Sequence, residues 1–287
     1  MNEKLIDSHL HLWDRAKYRY AWLDGYPLLN RSYLAEDYQK ATAGCDVVGG
    51  VFVQCDCAPE QSLAEAQWVA SLAKKGLPIK GIVAHAPIEL GNNVHSHLAE
   101  LARIPLVCGI RRLLQGEKKA GFCLEPSFIA GVKKLAEFNF SFDICVRKDQ
   151  LEEVVELVRA CPKVSFVLDH FGNPDIKNKT MEPWRSQISA LAKLRNVSCK
   201  LSGLITNADP LTWKPNDLAP FVDHVIASFG VHRVMFGGDW PVVILASEYR
   251  RWVETVHELL ANLPAKDRQK ILHDNAIKVY RLALNSN

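Results

Sequence analysis

The sequence alternates throughout between short runs that are almost continuously apolar and longer segments with helical periodicity. The apolar runs start at Leu5-Ile6 and recur at residues 47–53, 79–84, 106–110, 140–146, 164–168, 197–202 and 234–236. Strands apolar on both faces belong to parallel sheets covered on each side, whereas half-exposed strands alternate with period two. Helical spacing falls at residues 33–43, with Ser32 as the expected N-cap, then at 59–75, closed by Gly76. It recurs at 94–103, 127–138, 151–160, 184–194 and 217–229, and segments 247–260 and 265–282 finish the chain. Eight strand–helix units predict an α/β protein, a (β/α)8 TIM barrel forming a single domain over residues 1–287. A doubly wound open sheet would need a glycine-rich phosphate turn after the first strand, and none is present.

Charge and hydropathy exclude several function classes. A net charge of +3 with Lys and Arg interspersed among Asp and Glu gives no basic stripe for nucleic acid. No apolar run reaches the roughly 18–20 residues of a membrane span. Met1-Asn2-Glu3-Lys4 leads into the first strand without a signal-peptide core, so a cytoplasmic protein is expected. Most of the eight cysteines lie in apolar stretches, as reduced, buried thiols do, and Cys55-x-Cys57 has the wrong spacing for a redox or zinc-ribbon pair. The loop from Trp13 to Arg31 carries Tyr18, Tyr20, Trp22 and Tyr26, too aromatic for disorder and well placed to wall or cover a pocket.

In such a barrel the chemistry gathers beyond the C-terminal ends of the strands. The polar residues there are His9 and His11, Gln54, His85, Arg111 and Arg112, Asp169 and His170, Lys200 and Ser202, and Asp239. His9 and His11, two apart on a strand, project to one face. Taken singly, a strand-end histidine is usually a satisfied structural group, and an aspartate after two glycines is usually a turn residue. His9, His11, His170 and Asp239 on strands that a barrel brings together form a set of three imidazoles and a carboxylate, which suits zinc or a similar divalent ion.

These residues also carry a resemblance. Asp7-Ser8-His9-Leu10-His11-Leu12-Trp13, Gly109-Ile110-Arg111-Arg112, Leu168-Asp169-His170-Phe171-Gly172-Asn173-Pro174, Cys199-Lys200-Leu201-Ser202-Gly203-Leu204 and Phe236-Gly237-Gly238-Asp239-Trp240-Pro241 make the chain similar to the amidohydrolase superfamily. Within its amidohydrolase 2 branch the chain resembles the sugar-lactonase group, of L-fuconolactonase and L-rhamnonolactonase type. The resemblance implies that His9 and His11 are metal ligands, that His170 is a ligand or polarises a carbonyl, and that Asp239 activates water. No lysine stands where binuclear relatives carry a carbamylated bridge, and the fifth strand ends at Cys145-Val146-Arg147 without a histidine. One divalent ion, zinc first, or a metal-free site is therefore expected in place of two ions. Gly238 stands where the family usually has serine, and His85 where the group often has an aromatic residue.

The expected reaction is hydrolysis of a small-molecule sugar lactone, with Asp239 as general base and later acid. Arg111, Lys200, Gln54, His85, Trp22 and Trp240 are the expected substrate-binding residues. A lactone isomerase or metal-dependent decarboxylase of the same superfamily, and a non-enzymatic sugar-acid binding protein, are the alternatives. The sequence leaves a homodimer open.

Overall fold

Strands buried on both faces need helices outside and side chains inside, and the chain supplies both. The computed structural model describes residues 3–283. Eight parallel strands follow one another around the sheet in chain order. They are β1 (Leu5–Leu10), β2 (Val47–Val53), β3 (Ile79–Ala84), β4 (Val107–Arg111), β5 (Ser141–Ile144), β6 (Ser165–Leu168), β7 (Val197–Leu201) and β8 (Val234–Phe236). The seam between β8 and β1 is joined by a parallel bridge from Leu10 to Trp240. Asp239 N donates to His9 O and His11 N to Trp240 O, both at 2.7 Å. The sheet is a (β/α)8 barrel, with α1 (Ala35–Ala41), α2 (Ser62–Lys74), α3 (His95–Leu101), α4 (Pro126–Lys134), α5 (Leu151–Ala160), α6 (Trp184–Ala192), α7 (Pro215–Phe229) and α8 (Tyr249–Leu259) in its connections.

Two features depart from the sequence expectation. Helix α1 begins two residues later than expected. Asp37 Oδ2 accepts Leu34 N at 2.9 Å at its start, while Ser32 Oγ accepts Arg15 N. The final segment is broken into α9 (Ala265–Gln269), a π-helical turn (Lys270–Asp274) and α10 (Asn275–Tyr280). The wider turn lets Asn275 Nδ2 reach Val231 O and Val234 O, both at 2.7 Å, and so pins the helix beneath β8. From there Ala276, Tyr280 and Leu282 close the bottom of the barrel against Ile6, Val51, Val53, Val83, Val167 and Met235.

The aromatic loop after β1 is ordered and latched. Trp22 Nε1 donates to Cys55 O at 2.8 Å, Tyr18 hydroxyl to Ala64 O at 3.0 Å, and Ala58 N to Arg19 O at 2.9 Å. All eight cysteines are free, and Cys55 and Cys57 are buried. Among the described residues, no helix is long and apolar enough to cross a membrane.

Candidate active site

The upper end of β1 is held in place by a carboxylate. Asp7 is fully buried, and its Oδ1 accepts Gly238 N at 2.7 Å and His9 N at 3.0 Å. Its Oδ2 accepts the hydroxyls of Tyr38 and Tyr249, each at 3.0 Å. Burial nevertheless outweighs these bonds and raises its pKa to about 6. A Cβ on Gly238 would collide with the Tyr249 ring and lie 2.6 Å from Asp7 Oδ2. Tyr249 thus occupies the room a serine would take, which explains the glycine there.

Past β1, His11 Nδ1 donates to Val53 O at 2.7 Å. A carbonyl can only accept, so the neutral ring carries its proton on Nδ1 and turns the Nε2 lone pair inward. His9 Nε2 lies 3.2 Å from His11 Nε2. Asp239 Oδ1 stands 3.7 Å from the first of these nitrogens and 3.5 Å from the second. His170 follows β6 with φ +52°, and Phe171, Asn173 and Asp239 are also left-handed. Such conformations cost of order 1–3 kcal/mol each and persist only where the surroundings impose them. Here Trp184 Nε1 donates to Phe171 O and Asn173 Nδ2 to Val146 O, both at 2.7 Å. His170 Nδ1 contacts Ser202 Oγ at 2.9 Å.

Burial lowers the pKa of all three imidazoles, that of His11 to about 3 with help from Arg111, so they are neutral at pH 7. Burial also raises that of Asp239, to about 6, against the pull of His170 and Arg111. Asp239 is therefore ionised at neutral pH but close to its midpoint.

Beneath this layer lies a buried charge network that the sequence reading did not assemble. Lys200 Nζ is 2.7 Å from Asp143 Oδ2, 3.0 Å from Asp169 Oδ1 and 3.1 Å from His9 Nδ1. Arg111 Nη1 is 3.1 Å from Asp169 Oδ2, and Tyr280 hydroxyl donates to Asp143 Oδ2 at 2.6 Å. Burial would raise the pKa of Asp169, but Lys200, His9 and Arg111 together hold it well below the usual carboxylate range. Burial raises the pKa of Asp143 against the pull of Lys200; with neutral imidazoles, Asp143, Asp169 and Asp239 facing Lys200 and Arg111 give a formal charge of minus one. The sequence signal was present in Phe142-Asp143-Ile144, a charge inside a buried strand with no local cation to pair with.

A cavity of about 710 Å³ opens over the strand ends. His11, Arg111, His170 and Asp239 lie at its base, Trp22, Leu29, Val242 and Leu245 form an apolar wall, and Gln115, Asn173 and Asn207 line a polar one. His9 lies just below with no exposed surface. Four residues expected at the substrate are placed elsewhere. Lys200 is fully buried, with its ammonium held by Asp143 and Asp169. Gln54 is also fully buried and bonds to Arg111 O and Asp56 N. Trp240 turns away from the cavity to pack edge-on against Tyr33 and Tyr38, at 5.4 Å between centroids. His85 is off the cavity, where burial and then Arg112 lower its pKa to about 4. Arg112 itself pairs with Glu89 and Glu117.

The donor set fits a single divalent ion. Tetrahedral zinc with bonds of about 2.0–2.1 Å requires ligand atoms about 3.3 Å apart, close to the separations among His9 Nε2, His11 Nε2 and Asp239 Oδ1. His170 joins His9 and Asp239 in a group whose ligand atoms lie within 4.8 Å of one another.

The barrel carries this constellation at its mouth, and the amidohydrolase family model matches residues 6–282. The chain belongs to the amidohydrolase family. It is 31% identical to the uncharacterized protein y4mH of Sinorhizobium fredii, over 97% of this chain and 98% of that one. It is 28% identical to an L-fucono-1,5-lactonase of Burkholderia ambifaria, over 96% and 95% respectively. The crystal structure of a Burkholderia multivorans amidohydrolase with bound zinc superposes with a TM-score of 0.88 at 29% identity, covering 98% of this chain and all of that one.

Proposed function

We propose that this protein is a hydrolase that opens a sugar-acid lactone, of the L-fucono- or L-rhamnonolactone kind. The observation that carries the reading is Asp239, an ionised carboxylate at the base of the cavity with its pKa near 6, among neutral imidazoles and beside a buried arginine. Similarity to L-fucono-1,5-lactonases over nearly the whole chain supports the substrate class.

Lactone hydrolysis needs an activated water, stabilisation of the oxyanion and a proton for the leaving alkoxide. Asp239 takes the water proton as water attacks the carbonyl carbon, and returns it to the ring oxygen when the acyl C–O bond breaks. Arg111 lines the cavity with its guanidinium held by Asp169 and by Gln54 O, and its positive charge lies close to where the oxyanion develops. His170, held through Nδ1 by Ser202, keeps its other nitrogen either to ligate an ion or to polarise the carbonyl. His9, His11, His170 and Asp239 would hold a divalent ion, zinc by donor type, and such an ion supplies Lewis-acid polarisation of the carbonyl. Trp22 and Leu245 give the substrate an apolar wall, and Asn173 and Asn207 face its hydroxyls.

A panel of L- and D-aldonolactones, followed by proton release with a pH indicator, tests the reading. The expected result is turnover of at least one six-carbon lactone with kcat/KM in the enzymatic range, about 10⁴ M⁻¹s⁻¹ or more. Silence across the panel, with carbon dioxide released from aromatic acids instead, would reject it.

Gly203 provides a second check. It has φ +63°, and a Cβ there would lie 2.5 Å from His170 Nδ1 and 3.1 Å from Asp239 Oδ2. Gly203→Ala is expected to lower kcat about 10²-fold by displacing His170, since misplacement of about 1 Å can cost that much. The measurement is steady-state kinetics with circular dichroism as a fold control, and an unchanged kcat would contradict this placement of His170.

A further inference from the structure

We infer that Lys200 is a positioning residue that fixes the tautomer of His9 and so weakens this site's hold on a divalent ion. The inference rests on the reading that His9 is one of the ion's ligands. An ammonium has three donors and no acceptor. Lys200 donates to Asp143 Oδ2 at 2.7 Å and to His9 Nδ1 at 3.1 Å, and its ammonium is ion-paired with Asp169 Oδ1 at 3.0 Å. Nδ1 must then offer its lone pair, which puts the His9 proton on Nε2. From there it points to His11 Nε2 at 3.2 Å, whose lone pair is free because His11 Nδ1 donates to Val53 O. The three bonds run in one direction, from Lys200 through His9 and His11 to Val53, with every donor matched to an acceptor.

The other tautomer breaks this order. With the proton on Nδ1, His9 faces Asp169 Oδ1 at 3.3 Å, but the ammonium then faces an N–H at 3.1 Å. The two Nε2 lone pairs also oppose each other at 3.2 Å. Besides Asp169 Oδ1, the contact that favours this tautomer is Arg111 Nη1, which is 3.4 Å from His9 Nε2 and already 3.1 Å from Asp169 Oδ2. Yet ligation requires the Nε2 lone pair. An ion therefore has to move the His9 proton to Nδ1, against Lys200. Without Lys200, Asp169 would take that proton unopposed, the carboxylate–histidine arrangement that orients metal-ligating imidazoles.

Removing the lysine also removes a positive charge, which by itself would favour a cation. The paired substitution Lys200→Met with Asp143→Asn keeps the site's charge unchanged and isolates the tautomer effect. The test uses full-length, chelator-treated, ¹⁵N-histidine-labelled protein, with His9→Gln to assign the resonance, and zinc affinity measured by chelator competition. Wild type is expected to show His9 protonated on Nε2. The double variant is expected to show Nδ1–H and a zinc Kd lower by about 10–100-fold, the range that partners of metal-bound histidines command. A wild-type Nδ1–H, or an unchanged Kd in a folded double variant, overturns the inference. The wild-type spectrum decides even if the variant does not fold, and neither measurement involves a lactone, so the substrate reading stands or falls separately.

Discussion

Asp239→Asn is expected to lower kcat by about 10³–10⁴-fold, at the upper end of what general base catalysis contributes. The substitution keeps the shape of the side chain and the bond from residue 239 N to His9 O, so the left-handed turn should survive. It removes the group that accepts the water proton. The pH profile supplies an independent signature. A carboxyl with its pKa near 6 gains a proton as pH falls through that value, so kcat/KM of the wild type should decline tenfold per unit below about pH 6. The residual activity of the variant should lack this acidic limb. Near-normal turnover, or a variant that retains the limb, would remove Asp239 as the base.

What the sequence made legible follows from the physics of each element. The strands were readable because burial on both faces leaves uninterrupted apolar runs, and α5 matched its expected bounds, with acidic Glu152 and Glu153 in its first turn and Arg159 in its last. His9, His11, His170 and Asp239 were readable because the barrel makes strand ends converge. Depth and side-chain direction were not. Lys200 lies within β7, not beyond it, so its ammonium remains inside the barrel and meets Asp143 and Asp169. Trp240 follows a left-handed residue, and its ring goes to Tyr33 and Tyr38 behind the cavity. Besides the nearby Ser141 hydroxyl, the Asp143 partners come from β7 and from α10, more than fifty residues away in the chain, and no local pattern records that meeting.

Asp7→Ala is expected to be the most destabilising single change near the site, because one carboxylate satisfies four buried donors: two backbone amides and two phenols. Each donor left unpaired costs about 1–3 kcal/mol, and partial relaxation leaves an expected loss of about 3–5 kcal/mol. For a chain of this size about 2–4 °C of Tm accompanies each kcal/mol, so a drop of roughly 10 °C or more is expected in a thermal melt. Asp7→Asn separates hydrogen bonding from charge. The amide oxygen can still accept Gly238 N and His9 N, and its NH₂ can donate to the two phenol oxygens once their hydroxyls rotate. The sign of the pKa shift points the same way. A folded-state pKa of about 6, above the usual carboxylate value, means that the ionised form is disfavoured in the native state. The contribution of Asp7 to stability therefore falls as pH rises through the window from about 4 to 6, and a permanently neutral amide escapes that loss. Asp7→Asn should then melt within a few degrees of wild type at pH 7. An alanine variant that melts as late as the asparagine one would show that the four donors find other partners, and that Asp7 does not hold the seam between β1 and β8 on which the placement of His9 and Asp239 depends.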